Sequence, residues 1–434
     1  MISEQRDSIV QSKTRSSTRQ RRSEQRQTKS FNISKHEVVE AYRRVKANKG
    51  SAGVDNQSLE DFDKDLRNNL YKIWNRLSSG SYFPPPVKCV LIPKIDGNLR
   101  PLGIPTVSDR IAQMVIKQRI EPRLEAIFHP NSYGYRPHKS AHQALGVARQ
   151  RCWQRGWVLD MDIKGFFDHI DHELLMRAVN QQVEETWIRL YIERWLKADI
   201  KHPDGRLEKR NRGTPQGGVI SPLLANLYLH YVFDVWVEKH WPGIQFERYA
   251  DDIICHCASE KEALALKALL DKRFTECGLT LHPTKTQIAY CKSDKFPNDH
   301  AVVSFDFLGH TFKPRMMRSR DGVYRLGFTP SISGKAAKRI RQVIKGWKIL
   351  KASQATLEGI ARFSRATIMG WVNYYGKYGR KGILSTLHYF DSKLIRWVKR
   401  KYKRLSSIAR ATRWLIGVKH RESNLFVHWA LAKC

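Results

Sequence analysis

Two short acidic clusters set in apolar sequence are the residues of this 434-residue chain best suited to chemistry. The first, Val158-Leu159-Asp160-Met161-Asp162-Ile163, reads as a strand whose two acids share one face by period two. The second, Tyr249-Ala250-Asp251-Asp252, is followed by Ile253-Ile254 and reads as a tight turn between two strands. Acids in such apolar settings are costly when buried unpaired. A divalent cation offsets that cost. Hard oxygen ligands suit magnesium, which one or two carboxylates hold together with substrate phosphates. Two such ions about 4 Å apart can activate an attacking oxygen and stabilise a leaving one. No HExxH, CxxC or nucleophile elbow offers a rival chemistry, and Cys255 and Cys257 read as buried strand residues.

The elements that must position these acids mix strands and helices without regular alternation, which predicts an α+β fold. Helical period runs through Lys35–Ala47 and Leu59–Leu77. Strands are expected at Val87–Pro93 and Leu99–Ile104 around an Asp96-Gly97 turn. A helix capped by Ser108 or Asp109 follows, then a helix over Ser140–Arg151, the acidic strand Trp157–Ile163 and a helix from His172. A second hairpin turns at Asp204-Gly205, and Pro222–Glu238 reads as one long apolar helix. Strands at Phe246–Ala250 and Ile253–Cys257 flank the second acid pair, and an amphipathic helix spans Glu260–Cys277. Residues 301–312 and 323–328 read as strands, and the chain is helical and basic from Lys335 onward.

The chain carries 77 Lys and Arg against 41 Asp and Glu, a net charge of +36. Residues 1–30 contribute +5 and residues 335–434 contribute +21, so most of the surplus lies at the two ends. A polyanion partner follows, because neutralising phosphates releases counterions. Five Trp (347, 371, 397, 414 and 429) are interleaved with the C-terminal charge, as suits stacking on bases, or as helix core. A mean hydropathy of −0.52 argues against a membrane protein. The absence of an early apolar segment excludes a secretory signal. Seven cysteines without a framework fit a reducing compartment, hence a cytoplasmic protein.

Placed in order, these motifs resemble the bacterial group II intron-encoded reverse transcriptases and maturases. Gly53-Val54-Asp55 and Gly80-Ser81-Tyr82 are similar to that family's N-terminal block. Ile92-Pro93-Lys94 through Arg100-Pro101-Leu102-Gly103-Ile104-Pro105, and Tyr133-Gly134-Tyr135-Arg136-Pro137, resemble its fingers motifs. Asp162-Ile163-Lys164-Gly165-Phe166-Phe167-Asp168, Gly213-Thr214-Pro215-Gln216-Gly217-Gly218 and Tyr249-Ala250-Asp251-Asp252 resemble its palm motifs. Gly278-Leu279 with Lys285-Thr286, then Phe307-Leu308-Gly309, complete the palm series, and Gly370-Trp371 with Tyr374-Tyr375 resembles the maturase thumb.

The resemblance implies a right-hand polymerase. Its expected parts are a basic extension (1–30), an N-terminal block and fingers (31–155), a palm (156–330), a helical thumb (331–404) and a basic DNA-binding tail (405–434). Many relatives continue into an HNH endonuclease with cysteine pairs. None is found here, so the primer is expected from elsewhere, such as a replication fork. Asp162, Asp251 and Asp252, with the Ile163 carbonyl, are the expected ligands of two Mg2+ ions, for which Mn2+ can substitute. Lys94 and Arg100 would clamp the triphosphate, Gln216 would approach nucleotide or template, and Phe167 would exclude a 2′-hydroxyl. Lys285 would contact or protonate pyrophosphate. Arg136, Arg21, Arg22, Trp371, Tyr374 and Tyr375 are the expected template or RNA contacts.

The function implied is RNA-directed DNA synthesis with splicing help to an intron RNA and retrohoming. Its partners would be that RNA, a DNA target and primer, dNTPs and, in a homodimer, a second copy. Three alternatives have their own marks. A maturase-only splicing cofactor would have lost an acid, yet all three are present. A host-adopted enzyme of defence or repair would show a fusion or a missing thumb. An RNA-templated RNA polymerase would lack the Phe167 gate.

Overall fold

The computed structural model describes residues 31–93, 99–318 and 321–431. The chain forms two compact units interleaved in sequence. One holds Met1–Pro137, Ile163–Trp241 and Lys272–Thr280; the other holds His138–Asp162, Pro242–Asp271 and Leu281–Cys434. The described strands are β1 (Val87–Pro93), β2 (Leu99–Ile104), β3 (Trp157–Asp162), β4 (Ile200–Lys201), β5 (Leu207–Glu208), β6 (Gln245–Tyr249), β7 (Asp252–Cys257), β8 (Gln287–Tyr290), β9 (Phe305–Phe307), β10 (His310–Arg318) and β11 (Tyr324–Ile332). Largely antiparallel sheets with helices outside them make the fold α+β, as the sequence predicts.

In the first unit the opening helix spans Lys35–Ala47, as expected. Ser34 and Glu37 close a capping box at its start: the Glu37 amide donates to Ser34 Oγ at 3.2 Å and the Ser34 amide to Glu37 Oε2 at 2.8 Å. The single helix expected over Leu59–Leu77 is instead two, Leu59–Lys64 and Leu66–Ser78, because Asp65 leaves helical geometry at φ −129° and ψ 47°. The sheet runs β2-β1-β4-β5, with Arg100 opposite Ile92. Helix Val107–Ile127 is capped two to three residues earlier than predicted. Thr106 supplies the cap by accepting from the Asp109 amide at 3.2 Å, which leaves the Asp109 side chain to point inward. An aromatic-rich helix, Thr186–Leu196, has no counterpart among the predicted elements. The long helix predicted over Pro222–Glu238 begins at Ser221 and passes through a π-helical turn at His230–Asp234.

In the second unit the acidic strand lies inside a four-stranded sheet of order β6-β7-β3-β8. It is buried on both faces, with Val158, Leu159, Ile253, Ile254 and Cys255 at 0% exposure. Glu247, Arg248 and His256 are also fully buried. The Glu247 carboxylate is answered by His256 and by Arg151, which reaches it from helix Ala141–Gln154. A second sheet stacks β9, β10 and β11. The strand expected over 301–312 breaks at Leu308-Gly309, where both residues take positive φ (50° and 74°). The C-terminal helices pack around Ile344, Ile368, Leu387, Phe390, Trp397, Leu415 and Trp429. The 45-residue helix Leu357–Lys401 bends at Gly379. No described helix is long and apolar enough to cross a membrane.

Candidate active site

Antiparallel pairing of β3 with β7 brings the two acidic clusters together, since Asp162 and Asp252 are cross-strand partners in that ladder. The β6–β7 connection has two residues, Ala250 and Asp251, between the paired Tyr249 and Asp252. Such short loops demand positive φ, and Ala250 adopts 58° at a cost of roughly 1–2 kcal/mol for a residue with a Cβ. The buried Arg248 guanidinium donates to the Ala250 carbonyl at 3.3 Å and steadies the strained residue. The turn therefore presents Asp251 and Asp252 at the end of the sheet where β3 delivers Asp162.

The two acids of β3 share a face but not an environment. Asp160 is 8% exposed and takes a hydrogen bond from the Gln287 amide at 3.2 Å. Burial pushes its carboxyl up to about 7, with Asp306 and Asp162 adding to the shift. Asp162 is open, its side chain 44% exposed, and its Oδ2 lies 3.0 Å from Lys285 Nζ. The Asp252 carboxyl is raised well above the usual carboxylate range by burial, and further by Asp160, Asp251 and Asp162; the Leu308 amide donates to it at 3.4 Å.

This surplus of negative charge is the environment a divalent cation relieves, and the donor set is all oxygen, as magnesium prefers. Among the described residues no three His, Cys, Asp or Glu side chains already converge as a metal cage. The residues fit the group.

The remaining expected site residues separate into distinct settings. In the first unit, Arg100 Nε donates to Gln216 Oε1 at 2.7 Å, and Gln216 Nε2 faces the Asp168 carboxylate at 3.3 and 3.4 Å. The backbone of that turn is tied to β2, whose Gly103 amide donates to the Gln216 carbonyl at 2.8 Å. Gly217, at φ 122°, leaves no room for a side chain, since a Cβ would stand 2.5 Å from the Gly103 carbonyl. Phe167 is 8% exposed, packs edge-on against Phe166 and accepts at its carbonyl from the Thr214 amide at 2.7 Å. Ile163 is buried. Asp168 was given no role by sequence, although it ends the Asp162–Asp168 motif; its spacing alone does not disclose a partner 48 residues away.

Arg136 does not point outward for a template. It pairs with Glu125 at 2.9 Å with its side chain only 6% exposed, and donates to the His129 and Ser132 carbonyls, each at 2.8 Å. Its geometry makes it the clamp of its own loop. In the second unit Trp371 stacks on Trp347 with centroids 5.7 Å apart. Tyr374 donates to the Leu308 carbonyl at 2.9 Å, and Tyr375 packs against His310. All three rings are half-buried; Tyr374 and Tyr375 hold helix Leu357–Lys401 against the β9–β10 turn, and Trp371 rests on Trp347. Lys94, Arg21 and Arg22 lie outside the described residues.

Comparison with known proteins gives the family. A family model described as reverse transcriptase (RNA-dependent DNA polymerase) matches residues 92–312, and the group II intron maturase-specific domain matches 337–415. Protein YkfC of Escherichia coli (strain K12) is 31% identical over 353 residues, covering 72% of this chain and 89% of that protein. The group II intron-encoded protein LtrA of Lactococcus lactis subsp. cremoris is 36% identical over 193 residues, which is 44% of this chain and 32% of LtrA. The putative COX1/OXI3 intron 1 protein of Saccharomyces cerevisiae is 28% identical over 200 residues, 46% of this chain and 24% of that protein. The chain belongs to the reverse transcriptase family: it is an RNA-directed DNA polymerase, dependent on a divalent metal, that also carries the group II intron maturase domain and with it an RNA partner.

Proposed function

We propose that the chain copies intron RNA into DNA by nucleotidyl transfer at Asp162, Asp251 and Asp252, and that its maturase region holds the same RNA to promote splicing and retrohoming. The observation that carries the catalytic reading is the cross-strand pair Asp162 and Asp252, the latter with its carboxyl raised by burial and then by the neighbouring acids. The three side chains, with the Ile163 carbonyl, would hold two Mg2+ ions. When bound, these supply Lewis-acid stabilisation of the charge that develops at the transferring phosphate.

The other residues have roles that need no metal to describe. Lys285, which answers the Asp162 carboxylate, would contact or protonate the departing pyrophosphate. Arg100 is a fork-shaped donor for a triphosphate, with Lys94 as a second cation. Gln216, held between Arg100 and Asp168, offers an amide to the nucleotide. Phe167 bars a 2′-hydroxyl.

Residues 31–155 read as the N-terminal block and fingers, 156–330 as palm, 331–404 as thumb and 405–434 as a DNA-binding tail. The proposed partners are intron RNA, a DNA target and primer, dNTPs and a second copy of the chain, in a cytoplasmic ribonucleoprotein. Manganese provides the test of the metal reading. Electron paramagnetic resonance should detect Mn2+ bound to the wild-type protein with primer-template and dNTP, and strongly reduced binding in Asp162→Asn with Asp252→Asn. Equal Mn2+ binding by both proteins would place the metal elsewhere.

A further inference from the structure

Behind the Gln216 turn, within the first unit, lies a buried polar relay that the polymerase chemistry above does not use. Asp109 is 1% exposed, one turn into helix Val107–Ile127. Its Oδ1 accepts from Tyr82 Oη at 2.9 Å and from Trp195 Nε1 at 2.7 Å. Its Oδ2 accepts from Gln113 Nε2 at 2.9 Å, one helical turn on. Gln113 is 2% exposed, and with its amino group engaged its Oε1 must face the other way. There it accepts from the Val219 amide at 2.8 Å and the Ile220 amide at 3.3 Å, the first residues after the Gly213–Gly218 turn.

The polarity of this chain is fixed by its ends. Tyr82 and Trp195 are donors on one side, and two backbone N–H groups are donors on the other. Only a pure acceptor at 109 with a donor–acceptor amide at 113 satisfies both. A less costly arrangement exists for packing alone, since apolar side chains of the same shape would leave no buried carboxylate to stabilise. The relay instead fixes the backbone at 219–220. Together with the Gly103–Gln216 hydrogen bond, at 2.8 Å on the front of the turn, it holds the backbone that carries Gln216 from both sides. Thr214 Oγ1 to Ser221 Oγ, at 2.7 Å, closes the turn between them.

We infer that Asp109 and Gln113 are positioning residues for polymerisation: they orient the Gln216 turn from behind and so set the affinity for the incoming nucleotide. The inference rests on the reading of Gln216 as a nucleotide contact. The experiment is primer extension by the full chain on an annealed DNA primer and RNA template. KM for dNTP and kcat are measured for Asp109→Asn, Gln113→Glu, their double variant, Gln113→Met and Gln216→Ala, with thermal unfolding as the check on folding.

Asp109→Asn sets two donors face to face somewhere along the chain, and Gln113→Glu sets two carboxylates face to face. Each should raise KM for dNTP roughly tenfold, the loss expected for one charge-assisted hydrogen bond, with a smaller change in kcat. The double variant restores an acceptor opposite every donor and should recover most of that loss, which a merely structural role for either residue does not predict. Gln113→Met removes the relay without adding charge and should also raise KM in a folded protein. An unchanged KM in folded Gln113→Met, or a double variant no better than the worse single one, would overturn the inference. If Gln216→Ala raises KM while the relay variants do not, the inference fails and the nucleotide reading of Gln216 stands. If Gln216→Ala also leaves KM unchanged, both fail.

Discussion

Asp160 and Asp162 leave the same face of one strand, yet only Asp162 is available to a ligand. Asp160 is enclosed and satisfied by Gln287, whereas Asp162 stands open with Lys285 as its counter-ion. The sequence contains both acids in one alternation and cannot rank them by burial; the pairing of β3 with β7 does so by setting Asp162 opposite Asp252. Phe167 is the residue on which sugar selection is proposed to rest. Phe167→Ala should raise ribonucleotide incorporation relative to deoxyribonucleotide, read as the ratio of kcat/KM for the two; an unchanged ratio would remove the gate. His310 makes a different demand. It is fully buried beside Tyr374 and Tyr375, and burial pushes it down to about 4 from an ordinary value of 6.5. The folded protein thus keeps this ring neutral where the unfolded chain protonates it. Its contribution is complete above pH 6.5 and is lost as pH falls toward 4, by on the order of 3 kcal/mol over that range. His310→Gln should flatten the decline in urea stability between pH 7 and pH 5, and an unaltered slope would show that other groups cause it.

Elements with a clean period were legible in advance, and those with a mixed one were not. Helix Lys35–Ala47 falls where the sequence puts it because it carries a regular apolar face and a marked start, and strands β1 and β2 do so because the Asp96-Gly97 turn signal separates them. Helix Thr186–Leu196 escaped because its Trp187, Tyr191 and Trp195 serve burial in a sequence with no start signal; Glu185 caps it without a side-chain hydrogen bond. The sequence over Leu59–Leu77 reads as one continuous helix because the break at Asp65 is a backbone event that leaves the period intact. The Arg100–Gln216–Asp168 chain was hidden for a third reason: its members are 116 and 48 residues apart and meet only through tertiary structure. The kink in helix Leu357–Lys401 offers an element-level test. A Cβ on Gly379 would lie 2.6 Å from Ser331 Oγ and 2.9 Å from its Cα, while one on Gly370 meets nothing within 4 Å. Gly379→Ala should therefore destabilise the protein by about 1–3 kcal/mol, and Gly370→Ala should stabilise it by up to about 1 kcal/mol. Urea unfolding compares them, and equal effects of the same sign would contradict the close approach of helix and hairpin.

Across the whole molecule, charge and chemistry are distributed differently. The +36 surplus is concentrated in the ends, whereas the acids proposed to carry catalysis sit mid-chain in a largely buried sheet. The C-terminal aromatics, offered by composition either as base-stacking surfaces or as core, are used largely as core: Trp397 and Trp429 are 1% exposed and Trp371 is stacked on Trp347. The proposed RNA binding by the maturase region would then rest on cationic surface around a packed helical body, with phosphates and shape as the contacts. That division predicts two separable activities in one chain. The direct test is DNA synthesis on an annealed DNA primer and RNA template with magnesium, comparing wild type with Asp251→Ala and Asp252→Ala together, while intron RNA splicing is followed in the same preparations. Extension by the wild type, abolished in the variant with splicing retained, is the predicted result. Extension that survives loss of both acids, or splicing lost along with it in a folded variant, would contradict the account.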